Sequence, residues 1–261
     1  MNENSQAAVI ELKGADIATM QDPACVMVGD VNWSVAAGEF WTVAGAERSG
    51  KSDFLRLIAG LMVPAKGGCK LFGIETRTLG EAALAERLRV GFVFAGGPLF
   101  NSLTIAENVA LPLRYRKNLS APEAAPSVEK LLGLLELQPF AGALPLNIPP
   151  AWRYRAALAR ALMLKPEVLL LDNPLAGLAA KHRVWLVEFI DQLWQGHEWL
   201  DGRALTVVAT TDDLRPWQHS RRRFGLLDEG KFVVLGNWRD VETAGHPPVK
   251  EMLAVPAELK A

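Results

Sequence analysis

The stretch EFWTVAGAERSGKSDFLRLIAGL, residues 39–61, decides the fold. Glu39 to Ala44 is rich in β-forming residues and reads as a strand. Lys51 to Leu61 sets Phe54, Leu57, Ile58 and Leu61 at helical spacing. Between them, Gly45-Ala46-Glu47-Arg48-Ser49-Gly50-Lys51-Ser52 matches G-x-x-x-x-G-K-[ST]. In a strand–loop–helix setting, successive backbone N–H groups and the positive end of the helix dipole form an anion cradle. Lys51 brings a cation to the terminal phosphates, and Ser52 offers its hydroxyl to Mg2+. Asp53 ends the candidate phosphate-contacting run. The other reading is a loop kept as a fold element that no longer binds nucleotide.

Downstream, Val168-Leu169-Leu170-Leu171 is a short apolar run ending on Asp172. It reads as a buried strand with a carboxylate at its carboxyl end, where ligands bind in sheets of this kind. Asp172 is therefore a candidate Mg2+ ligand; a turn-forming Asp before Asn173-Pro174 is the plainer alternative. Further strands are expected at residues 9–12, 30–35, 90–94, 205–209, 224–227 and 231–235. Helices are expected over 101–117, 123–137, 152–164 and 184–194. Interleaved strands and helices predict an α/β fold with a mixed, largely parallel sheet. Residues 1–261 read as a single domain, and about 98–155 as a helical subdomain inserted in its core.

Composition narrows the function. Half the residues are hydrophobic, enough for a sizeable core, and the formal net charge of -1 lacks the basic footprint of a nucleic-acid binder. The one dense basic run, Arg221-Arg222-Arg223, reads as a solvated turn. Cys25 and Cys69 have neither metal-ligand nor CxxC spacing, which fits a reducing, cytoplasmic setting. The polar start has no signal-peptide pattern, and no apolar run reaches the roughly 20 residues that span a bilayer. Any membrane role must then pass through a partner.

Several segments together resemble the ATP-binding subunits of ABC transporters, with their P-loop NTPase fold. They are GEFWTVAG, GKS with FLRLIAGL, LTIAENVALPLR at 103–114, RAALARAL at 155–162 and LLLDNPLAGL at 169–178. The resemblance runs from about residue 9 to 253. ENVALPLR and the tail PPVKEML look most like the ATPases of Mla/Mce-type lipid transporters. The resemblance implies ATP and Mg2+ as cofactors and an ABC permease membrane subunit as partner, docked near residues 94–103. It also implies a dimer, with itself or with an ABC ATPase paralogue, and a peripheral place on the inner face of the cell membrane.

Carried over residue by residue, the family's catalytic set is depleted. Asn173 stands where the family has the Glu that polarises water, and a neutral amide cannot take a proton. Asp212 stands at the His beside the γ-phosphate, and Ala95 at the Q-loop Gln. The signature LSGGQ falls on Ile148-Pro149-Pro150-Ala151-Trp152, without a hydroxyl and with two residues lacking N–H groups. Ala179 replaces the D-loop Asp, Thr19 falls near the adenine-stacking aromatic, and Arg48 replaces a loop glycine. These changes predict a hydrolysis-impaired, regulatory or scaffold subunit. Two alternatives stand beside it. One is a slow ATPase using Asp213 or Glu47 as a carboxylate. The other is an interaction module outside transport, with Trp152, Trp217 and Trp238 on a partner surface.

Overall fold

The structure is a computed structural model, and it describes residues 8–77 and 85–254. Its centre is a six-stranded sheet in the order β10-β9-β3-β8-β7-β6. These strands are β3 (Phe40–Gly45), β6 (Val90–Val93), β7 (Val168–Leu171), β8 (Thr206–Thr211), β9 (Arg223–Asp228) and β10 (Lys231–Gly236). All neighbours pair in parallel except β9 and β10, which form an antiparallel hairpin. A second, antiparallel sheet runs β2-β1-β4-β5, from β1 (Ala8–Ala18), β2 (Val26–Ala36), β4 (Lys66–Leu71) and β5 (Ile74–Glu75). The α/β reading holds, and the strands expected at 9–12 and 30–35 fall in β1 and β2, but the sequence pattern did not anticipate β4 or β5. β4 reads KGGCKL, too glycine-rich and polar to look like a strand until it pairs with β1, as Leu12 does with Cys69.

Two apolar layers sandwich the central sheet. Along β7, Leu169 and Leu171 enter one layer, with the later helices. Val168 and Leu170 enter the other, with β1, β2 and the helix after the loop. Strands buried on both faces read as continuous apolar runs, which is why VLLL has no polar alternation. The first helix, α1 (Lys51–Ile58), buries Phe54, Leu55, Leu57 and Ile58, a stripe at helical spacing. Phe54 stacks on Phe232 at 5.4 Å and meets Trp33 at 5.2 Å, fixing α1 to the sheet behind it.

Between β6 and β7 lie α2 (Ile105–Arg116), α3 (Ala121–Leu134) and α4 (Pro150–Leu162). Capping boxes start two of them: Thr104 with Glu107, and Ser120 with Glu123. α5 (Ala180–Gly196) follows β7, and two short helices, α6 (Trp238–Thr243) and α7 (Pro247–Ala254), close the described chain. The expected helix over 184–194 thus begins four residues earlier, and that over 101–117 later, at its capping box.

The expectation for the arginine run needs correction. Arg222 is 1% exposed, stacked 4.3 Å from the Phe40 ring and paired with Asp191. Burial pushes its pKa down, and Asp191 offsets this. Arg222→Ala leaves Asp191 without its partner. Asp191 keeps some solvent, so the expected loss is about 2–3 kcal/mol, under the cost of breaking a fully buried pair; urea unfolding checks it. The tryptophans also sit mainly in the interior: Trp217 is fully buried, and Trp152 and Trp238 are partly so. That removes Trp217 from any partner surface.

Candidate functional site

Sheet order builds the site. β3, β8 and β7 are neighbours, and their carboxyl ends lie on one edge. β3 delivers the loop from Gly45, β7 delivers Asp172 and Asn173, and β8 delivers Asp212. They border one cleft of about 580 Å3, lined by Glu47 to Asp53, Ala95, Asp172, Asn173, Asp212 and Met27. Lys51 and Asp172, 121 positions apart in sequence, are thus brought together. Of the candidates, Gly45 and Ala46 are not in its lining.

The loop holds its shape through its own contacts. Gly50 caps α1 with φ +90°, and a Cβ there would lie 3.3 Å from Met27 and Val28. Only glycine takes that conformation without strain. Arg48 adopts φ +62° with a full side chain, a conformation costing roughly 1–2 kcal/mol in an L-residue. The Lys51 ammonium donates to the carbonyls of Gly45 at 2.7 Å and Ala46 at 2.6 Å. It lies over the cradle, where an anion would meet it. The Ser49 hydroxyl is buried in the loop with no protein partner. Asp53 lines the cleft but is engaged by Arg56 at 2.7 Å, a helix-stabilising pair.

Asp172 is 2% exposed, and its Oδ1 accepts the Thr210 hydroxyl at 3.1 Å. That hydroxyl in turn accepts the Asn173 N–H at 3.0 Å. Thr210 therefore ties the ends of β7 and β8 together, a role that sequence spacing alone did not mark. Asn173 sits at φ +43°, a region asparagine tolerates better than most residues. Its amide donates to Asp212 Oδ2 at 3.4 Å. The cleft carries Lys51 and Arg48 against Glu47, Asp53, Asp172 and Asp212. With a carboxylate excess, a polyphosphate needs a divalent cation to enter without net repulsion. Ser52 and Asp172 both line the cleft, a hydroxyl and a carboxylate, a donor set suited to Mg2+.

Other expected positions fall as follows. Ala95 lines the cleft with only a methyl group. Pro149 is the N-cap of α4 and Pro150 its first residue. The Trp152 and Arg153 N–H groups donate back to the Pro149 carbonyl, so this helix start presents few free donors. Ala179 caps α5 with no side-chain hydrogen bond. Thr19 lies outside the cleft lining, where its hydroxyl accepts the Asp22 N–H at 3.0 Å. Met27, from β2, takes a place in the lining that sequence reading missed. Asp213 faces a neighbouring cleft and binds Arg215 Nε and Nη2, each at 2.9 Å. Burial pushes the Tyr154 phenol well up, aided by the Asp172 charge. Burial likewise pushes the Cys69 thiol up to about 12, which leaves it unreactive.

The chain matches known proteins along most of its length. The family described as "ABC transporter" matches residues 28–176. A probable sulfate/thiosulfate import ATP-binding protein CysA of Chlorella vulgaris is 35% identical over 83% of this chain and 86% of its own. The sulfate/thiosulfate import ATP-binding protein CysA 1 of Agrobacterium fabrum is 35% identical over 85% of this chain. This chain spans only 62% of that protein's length. The putrescine transport ATP-binding protein PotG of Escherichia coli is 32% identical over 85% of this chain and 56% of its own. Among solved structures, the dimeric ATP-binding cassette MJ0796 bound to ADP and Pi superposes with a TM-score of 0.73 at 29% identity, covering 85% of this chain and 95% of that one. With the family match and these relatives, the chain belongs to the ABC transporter family as an ATP-binding cassette.

Proposed function

We propose that this cassette binds Mg-ATP but hydrolyses it poorly, and that it serves an import system as a regulatory or scaffold subunit. The observation that carries this is the Asn173–Asp212 contact. An amide and a carboxylate occupy the ground where a base would take a proton from water and a cation would stabilise the phosphate. Ala95 adds nothing polar, and the proline start of α4 weakens the site that this chain would offer a second cassette. The loop keeps its binding parts: Lys51, Ser52 and the backbone cradle, with Asp172 in the lining of the same cleft. When bound, Mg2+ would neutralise phosphate charge, while Ser52 and Asp172 hold it and Lys51 orients the terminal phosphates. In a homodimer both sites would share these losses; beside an active paralogue, each site would lack one half of the machinery.

The test is a chase experiment. Purified protein is loaded with labelled Mg-ATP, and the bound nucleotide is assayed over an hour. Intact ATP is expected. Brisk turnover that Lys51→Ala abolishes would sink the reading. A slow ATPase relying on Glu47 is the second reading, since Glu47 lines the cleft. Asp213 suits that role less well, because Arg215 holds it.

Among the described residues no helix is long and apolar enough to cross a membrane, so membrane association would come through a permease. We assign that docking to an apolar groove between α2 and α4, where Phe100 is 59% and Tyr115 82% exposed. Replacing both by Asp is expected to cut co-purification with the permease by about tenfold or more, as loss of aromatic anchors does elsewhere. Unchanged co-purification would move the interface away from this groove. For cargo, similarity to import cassettes over more than four-fifths of the chain outweighs the two short strings that point to lipid. Those relatives' names carry cargoes as unlike as sulfate and putrescine, so this subunit does not set the cargo.

A further inference from the structure

We infer that the cleft does not discriminate between nucleobases: it recognises the Mg-bound triphosphate and accepts purine and pyrimidine nucleotides alike. This rests on the nucleotide-binding reading above.

Selecting a base takes either an aromatic platform for its face or a fixed set of donors and acceptors for its edge. The cleft offers neither. No aromatic ring lines it. Every aromatic residue of the chain lies in a described segment, so no undescribed ring could provide one. The rings near the loop are spent on packing. Trp33, Trp41 and Phe232 pack with Phe54 of α1 in one aromatic cluster. Thr19 follows β1, with its hydroxyl tied to the Asp22 backbone, outside the lining.

The edge-reading groups are committed as well. Arg56 holds Asp53. Asn173 is turned to Asp212, and its N–H to Thr210. Glu47 can only accept, and adenine, guanine and cytosine each carry an amino group to give it. Arg48 is exposed and can lie over the face of any base. The one large apolar side chain in the lining is Met27, half-buried beside Gly50. A thioether on an unbranched chain adapts to any flat surface and reads none of its substituents. By contrast, all the contacts that would grip the ligand strongly sit on the phosphate side: Lys51, Ser52, Asp172 through the cation, and the loop N–H groups.

Removing one stacking platform elsewhere costs roughly five- to 150-fold in affinity per base, and that is the discrimination forgone here. The experiment is calorimetric titration of the full chain with the Mg salts of ATP, GTP, CTP and inorganic tripolyphosphate, repeated on Lys51→Ala and Met27→Ala. The three nucleotides should agree in Kd within about threefold, a spread under 1 kcal/mol, with tripolyphosphate within about tenfold of them. Lys51→Ala should weaken all four by about 100-fold. Met27→Ala should weaken the three nucleotides by a common factor and leave tripolyphosphate unchanged. ATP binding at least tenfold tighter than GTP and CTP, still weakened in Lys51→Ala, would overturn base indifference and leave the nucleotide-binding reading standing. A Met27→Ala effect confined to ATP would do the same. Failure of all four ligands to bind would overturn both.

Discussion

Lys51→Ala is expected to weaken Mg-ATP binding by about 100-fold. The ammonium already lies over the loop, donating to the Gly45 and Ala46 carbonyls at 2.7 and 2.6 Å, so it needs little movement to reach a phosphate. A charge-assisted hydrogen bond contributes roughly 1.5–3 kcal/mol, and the upper figure is apt for a cation facing more than one phosphate oxygen. At about 1.4 kcal/mol per tenfold, 3 kcal/mol is two orders of magnitude. The fold should survive, because Lys51 is only half-buried and α1 is anchored by Phe54, Leu55, Leu57 and Ile58. Calorimetry on both proteins, with a thermal melt as control, checks this. Equal affinity in wild type and variant would show that the loop is a fold element and no longer a ligand site.

Installing a base should restore chemistry in part. The double substitution Asn173→Glu with Asp212→His replaces the amide–carboxylate contact by a carboxylate and an imidazole. We expect ATP turnover to rise by at least about tenfold. That is short of the roughly 10²–10⁴-fold a well-positioned base contributes, since Ala95 and the proline start of α4 remain. Asn173→Glu alone should gain nothing: it sets a second carboxylate against Asp212, whose oxygen lies 3.4 Å from the present amide nitrogen. Phosphate release in single turnover distinguishes the cases. A double variant that binds Mg-ATP normally yet stays as slow as wild type would assign the deficit to the signature helix and away from these two positions.

Much of this was legible before any coordinates. The loop sits between a strand and an amphipathic helix, so local pattern and motif agreed there. Asp172 follows an apolar run that reads as a buried strand, and it is buried along its whole length. Less legible were features made by pairing at a distance. β1 runs from Ala8 to Ala18 with register shifts near Gly14, which break the alternation that marks a strand, and only its first residues showed. β4 hides behind Gly67, where a Cβ would collide with the Gly14 carbonyl; that glycine reads as a turn until the partner strand is known. Thr210 could not be tied to Asp172 and Asn173 without the β7–β8 register. Met27 enters the cleft through the pairing of β2. Arg222 differs from its neighbours only in what surrounds it: Phe40, Trp217 and Asp191. A run of charge specifies no such surroundings.

The edge of the central sheet keeps apart two things that selection could act on separately. Ala95, Pro149, Pro150 and Ala179 are exposed, and Asn173 and Asp212 are half-buried; none belongs to the two apolar layers. Changing them costs folding little, so stability neither resists their loss nor favours their return. Such a cassette can exchange an engine for a latch without rebuilding its chassis, and only pressure on turnover itself would keep the engine in place.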